Sequence, residues 1–191
     1  MSKSLKTVQT VCKVCKVLAE IAFVLLVVSA VLMLACGIFI GAGKLDALLL
    51  SGGVVLDDML QQTGVTQERM VTAFICLTVM LVAEAVVAKF INVYFKHELK
   101  AGTPFTFEGA KEMLRLGIIT IAVPAAASVI IAIYFAVMMS GDLTFDFSIE
   151  ISVSLGIVFL ALSPLLKHGA ELRAKAQLAE EKPADSEEDN L

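Results

Sequence analysis

The chain has 191 residues, 58% of them hydrophobic, and a mean hydropathy of +0.87. A soluble domain is nearer about 45–50% apolar, and here the apolar residues form long blocks between short charged stretches, which excludes an ordinary soluble domain. The formal net charge of −4 arises in the last twelve residues, where Glu180, Glu181, Asp185, Glu187, Glu188 and Asp189 face only Lys182; the body is slightly basic, without the basic stripe that direct nucleic-acid binding needs.

The first apolar run predicts a membrane span over 17–40. A helix rises ~1.5 Å per residue, so such a run crosses the ~30 Å hydrocarbon core. A cleaved signal has a shorter apolar core of about 7–15 residues. Met33-Leu34-Ala35-Cys36 faintly matches a lipoprotein cleavage pattern, but the run continues through Gly37-Ile38-Phe39-Ile40. Gly37 and Gly41 form a G-x-x-x-G pair, which suits close helix contact or dimerisation. In the lead-in, Cys12 and Cys15 form a C-x-x-C pair. Zinc would need two further ligands, and a thioredoxin-like role would need a βαβ context. Helical spacing puts both thiols on one face, which favours packing at the membrane interface over metal or redox chemistry.

The segment 41–69 is the longest connection and mixes apolar and acidic residues at partly helical spacing. Ser51-Gly52-Gly53 reads as a break between two short helices lying on the membrane surface. A second span follows over 70–94. It contains Glu84, flanked by apolar residues, with Lys89 five positions on. A charge at membrane depth costs about 2.5–3.5 kcal/mol on insertion scales. One reading of Glu84 is a proton or cation site, or a polar anchor between helices; the plainer one is a carboxyl that is protonated or bonded to a hydroxyl such as Thr120, Ser128 or Ser154. Lys89 sits near the end of the span, where its ammonium can snorkel outward.

After the second span the helix should continue to about Leu99 and stop near Gly102. Pro104 then fixes an extended turn. Thr106 is suited to N-cap the next helix, with Glu108 in its first turn. Phe105 and Phe107 either pack beneath the helices or offer a docking patch. The third span is predicted over 116–139 and the fourth over 149–166, with Pro124 and Pro164 inside them. Proline is tolerated in membrane helices and often kinks them. A short helix is expected beyond Lys167, and a disordered acidic tail over 181–191.

Orientation follows from the basic residues. Lys3, Lys6, Lys13 and Lys16 precede the first span; Lys89, Lys96, Lys100, Lys111 and Arg115 surround the middle connection; Lys167, Arg173, Lys175 and Lys182 follow the fourth span. The other two connections hold only Lys44 and Arg69. Both termini and the middle connection are therefore expected in the cytoplasm. The expected class is all-α: a single four-span membrane domain over 1–180, contacting the lipid bilayer, with homo-oligomerisation open. No cofactor or metal site is apparent. H-E-x-x-H, Walker, G-x-S-x-G and prenylation signatures are missing, and an enzyme is not expected.

The stretch Lys100-Ala101-Gly102-Thr103-Pro104-Phe105-Thr106, then Leu114-Arg115-Leu116-Gly117, resembles a bacterial membrane family catalogued as domain of unknown function 2975. Leu166-Lys167-His168-Gly169-Ala170-Glu171-Leu172 is similar to that family's closing segment. The resemblance spans about residues 10 to 180; the Ala-, Lys- and Glu-rich helix and acidic run at the end depart from it. It implies a four-helix protein of the bacterial inner membrane, often encoded beside a small helix-turn-helix regulator, and supplies no catalytic residues. The function it implies is a regulatory or scaffold partner of that cytoplasmic regulator. The alternative, from Glu84, is a small oligomeric transporter or channel.

Overall fold

The computed structural model describes residues 3–43, 66–102, 106–138 and 150–181. They form four helices, α1 (Lys3–Gly41), α2 (Gln67–Ala101), α3 (Phe107–Met138) and α4 (Glu150–Glu181), with no strand among the described residues. All four are long and apolar enough to cross a membrane. The expectations for most of 41–69, for Pro104 and Phe105, and for the acidic tail after Glu181 lie outside the described residues.

Each helix is longer than its predicted span. α1 begins at Lys3, so the C-x-x-C lead-in is helical. α4 runs without a break through Pro164 and Gly169 to Glu181, so the expected short C-terminal helix is one piece with the fourth span. The composition explains this: Ala, Leu, Glu, Lys, Arg and Gln dominate 170–181, and these are the strongest helix formers. α3 likewise continues through Pro124, which is fully buried.

The chain divides into two compact units. The first comprises Met1–Ala19, Phe90–Ala122 and Ser148–Leu191. Its core is Tyr94, Met113, Leu116 and Phe159, with Ile91, Phe95 and Leu166 packed against it. α3 and α4 approach closely here because glycine leaves room. A methyl group at Gly117 would stand 2.9 Å from the Leu160 side chain and 3.0 Å from its backbone nitrogen, and one at Gly156 would overlap Ile121. The buried Ser163 hydroxyl donates to the Ala110 carbonyl at 2.9 Å across the same pair of helices. The start of α1 is tied to α2 by two amides: Gln9 Nε2 donates to the Gly102 carbonyl at 3.0 Å, and Asn92 Nδ2 to the Lys16 carbonyl at 3.3 Å.

The second unit comprises Glu20–Lys89 and Val123–Phe147. Its core is Cys76, Ile131 and Phe135, with Val79, Met80 and Tyr134 packed on it. The Gly37 and Gly41 pair faces α2 of the same chain: a methyl group at Gly37 would stand 3.2 Å from Phe74 Cβ, and one at Gly41 3.7 Å from Val71. The close contact that the motif predicts is thus made within the chain. Gln67 Nε2 donates to the Ile40 carbonyl at the same end. Much of α1 remains exposed and apolar, including Leu18, Leu25, Val31, Leu32 and Ile38. In water such a surface would drive aggregation; against acyl chains it is an ordinary lipid-facing helix, compatible with bilayer contact.

Candidate functional site

The polar side chains converge at the turn from α2 to α3, within the first unit. Helix α2 ends because Gly102 adopts φ +74°, a left-handed conformation that costs other residues about 1 kcal/mol or more. Its N–H donates back to the Glu98 carbonyl at 3.2 Å and closes the last turn. Helix α3 begins as the sequence predicts. Thr106 Oγ1 accepts the Gly109 N–H at 2.9 Å, and Glu108 lies in the first turn. Phe107 opens α3 and is half exposed.

Between these two ends sits Glu98, only 5% exposed. Its Oε1 occupies the place that a side chain at Gly109 would take. The Tyr94 hydroxyl, one turn earlier and also buried, lies within reach of the same carboxyl group. Glu98 Oε2 has no hydrogen-bond partner among the described residues. The carboxyl thus lies buried at the opening turn of α3. Cys12, from the start of α1, lies within electrostatic reach of Glu98.

The same helix pair forms a groove of about 150 Å³ lined by Phe90, Val93, Tyr94, His97, Glu112, Arg115, Leu116 and Ile119. It is amphipathic along its length. Phe90, Val93 and Ile119 line one end, and His97, Glu112 and Arg115 the other. His97 Nδ1 and Glu112 Oε1 are 3.0 Å apart and bridge α2 to α3 across it.

The sequence does not single out Glu98, His97, Gly109 or Glu112. In KHELKA, Glu98 lies between Lys96 and Lys100 and reads as part of a solvated face. The phase of the helix carried the missed signal: Val87, Ile91, Tyr94 and Glu98 follow one another at steps of four, three and four, the buried stripe of α2.

The predicted membrane site lies elsewhere on α2. Glu84 is half-buried on α2. The exposed Lys89 holds its ammonium 4.9 Å from the centroid of the Phe23 ring, a cation–π contact between α2 and α1. Two of the hydroxyls considered for Glu84 donate within their own helix, Thr120 to the Leu116 carbonyl and Ser128 to the Pro124 carbonyl, both near 2.9 Å; Ser154 is exposed. Such back-bonding satisfies a hydroxyl inside an apolar environment. Cys12 and Cys15 are half-buried free thiols, Cys36 likewise, and Cys76 is buried in the core of the second unit. Among the described residues, no three His, Cys, Asp or Glu side chains converge as a metal site would require.

Comparison of the chain with protein-family models, with curated proteins and with solved structures yields no match.

Proposed function

We propose that this chain is a multi-pass protein of a bacterial inner membrane, with both termini in the cytoplasm, that serves as a regulatory or scaffold partner for a cytoplasmic helix-turn-helix regulator. The observation that carries the reading is the arm of α4. The helix runs ~48 Å at ~1.5 Å per residue, well beyond a ~30 Å core. Its extension carries exposed Leu172 and Leu178 among Arg173, Lys175 and Glu171. A soluble helix normally turns such leucines inward, and exposing them suits a helix that receives a partner. The resemblance of the α2–α3 turn and of 166–172 to the domain of unknown function 2975 family supports the same partner class.

The test is whether a helix-turn-helix regulator is encoded beside this gene and, where it is, its capture in detergent by the full chain and by a chain ended after Leu172. Loss of capture on truncation supports the reading; full retention counts against it.

A second reading rests on Glu84, half-buried within a membrane-spanning stretch. Carboxyls at such depth mark ion or proton pathways in many membrane proteins. On this reading the chain assembles as a small oligomeric transporter or channel, and Glu84→Gln abolishes flux in proteoliposomes.

A further inference from the structure

We propose that the groove between α2 and α3 binds one anionic glycerophospholipid, with its phosphodiester on Arg115 and an acyl chain along Phe90, Val93 and Ile119. The inference is independent of the reading above and needs only that α2 and α3 cross a bilayer.

Three observations carry it. The groove straddles the boundary between the apolar stretch of each helix and its charged extension: Phe90, Val93 and Ile119 lie on the membrane side, His97, Glu112 and Arg115 beyond it. A lipid changes from acyl chain to headgroup over the same interval. Its volume of about 150 Å³, roughly five water volumes, holds a phosphate with the first carbons of a chain. The charges are sorted as well. Glu112 is engaged by His97 at 3.0 Å, while the Arg115 guanidinium pairs with no acid among the described residues. A guanidinium fork matches a phosphodiester bidentately. On the same two helix ends Lys96, Lys100, Lys111 and Arg115 outnumber Glu98, Glu108 and Glu112, and this positive excess favours a net-negative headgroup over a zwitterionic one.

The occupant is a lipid rather than a peptide because the apolar half of the groove is lined by exposed Phe90 and Val93, in a chain whose other exposed apolar faces also suit acyl chains. Basic pockets between membrane helices at this depth recognise anionic headgroups by the same chemistry.

The experiment is native mass spectrometry of the full chain in detergent, titrated with phosphatidylglycerol or phosphatidylcholine, with inorganic phosphate as a third probe. The wild-type chain is expected to retain one phosphatidylglycerol in preference to phosphatidylcholine. Arg115→Gln should lower that retention about fivefold, the effect of removing one well-placed cation. Lys111→Gln removes the same charge from the exposed face outside the groove and should lower retention clearly less than Arg115→Gln does. Val93→Trp, which fills the apolar half, should weaken both lipids. Helicity by circular dichroism confirms that each variant is folded. Equal losses in Arg115→Gln and Lys111→Gln would assign the effect to diffuse charge and overturn the proposal. It is also overturned if inorganic phosphate displaces the lipid at equal concentration, if the two lipids are retained equally, or if Val93→Trp dissociates a dimer without changing lipid retention, which would give the groove to a second copy.

Discussion

The carboxyl oxygen of Glu98 occupies the space that a side chain at Gly109 would need. The two residues come from opposite sides of the α2–α3 turn, and their contact sets how closely the opening turn of α3 approaches the end of α2. Ordinarily a glycine in the first turns of a helix gains up to about 1 kcal/mol on replacement by alanine. Here the sign should reverse. Gly109→Ala is expected to lose about 1–3 kcal/mol through overpacking. The loss should shrink when Glu98→Ala is added, since the added methyl then meets no carboxyl. Unfolding in mixed micelles, followed by circular dichroism over the four-member cycle, measures the coupling. Additive effects would mean that the two residues do not share the space.

The contacts of α3 with α4, and of α1 with α2, predict an order among glycine substitutions. Gly117→Ala and Gly156→Ala should each cost about 1–3 kcal/mol. At Gly117 the obstacle includes the backbone nitrogen of Leu160, and at Gly156 the Gly117 carbonyl oxygen lies 3.1 Å from the added methyl. Gly37→Ala should cost less, with Phe74 Cβ at 3.2 Å, and Gly41→Ala least, with Val71 at ordinary contact distance. Midpoints of unfolding in detergent rank the four variants. A Gly41 variant weaker than the Gly117 variant would contradict the packing described.

Glu84→Gln separates the two functional readings. For a regulatory partner, capture of the cytoplasmic regulator and proteoliposome permeability both remain at the wild-type level. A selective flux present in the wild type and lost in the variant would instead assign the chain to transport.

Orientation is testable on a cysteine-free background with a membrane-impermeant maleimide. Glu68→Cys, exposed at the start of α2, should label in intact cells. Lys100→Cys and Arg173→Cys, exposed at the opposite end of α2 and on the α4 arm, should label only after permeabilisation. The reverse pattern would refute the orientation read from the basic residues.

The Lys89 ammonium over Phe23 ties α1 to α2. Phe23→Leu should cost about 0.5–1 kcal/mol beyond its change in apolar area, the usual worth of an exposed cation–π contact. Lys89→Gln should cost a similar amount, and the double variant no more than the larger single one. Thermal melts in one detergent measure all three.

Hydropathy alone determined the four helices, because each apolar run is longer than any soluble segment needs, and a backbone in lipid must close its own hydrogen bonds as helix. Local chemistry also determined the ends at Gly102 and Thr106: a left-handed cap and a hydroxyl acceptor act within a few residues of themselves. Those rules did not reach the neighbours of each residue. Glu98 is flanked by lysines and reads as solvated, yet its helical phase turns it inward, and the missing side chain at Gly109, eleven residues on, makes room for it. The Gly37 and Gly41 motif fits a second copy or a neighbouring helix equally well in one dimension; only the packing of Phe74 and Val71 against it chose α2. The same holds for His97 with Glu112, and for the groove they close, since a pair fifteen residues apart becomes a contact only when the turn brings two helices side by side.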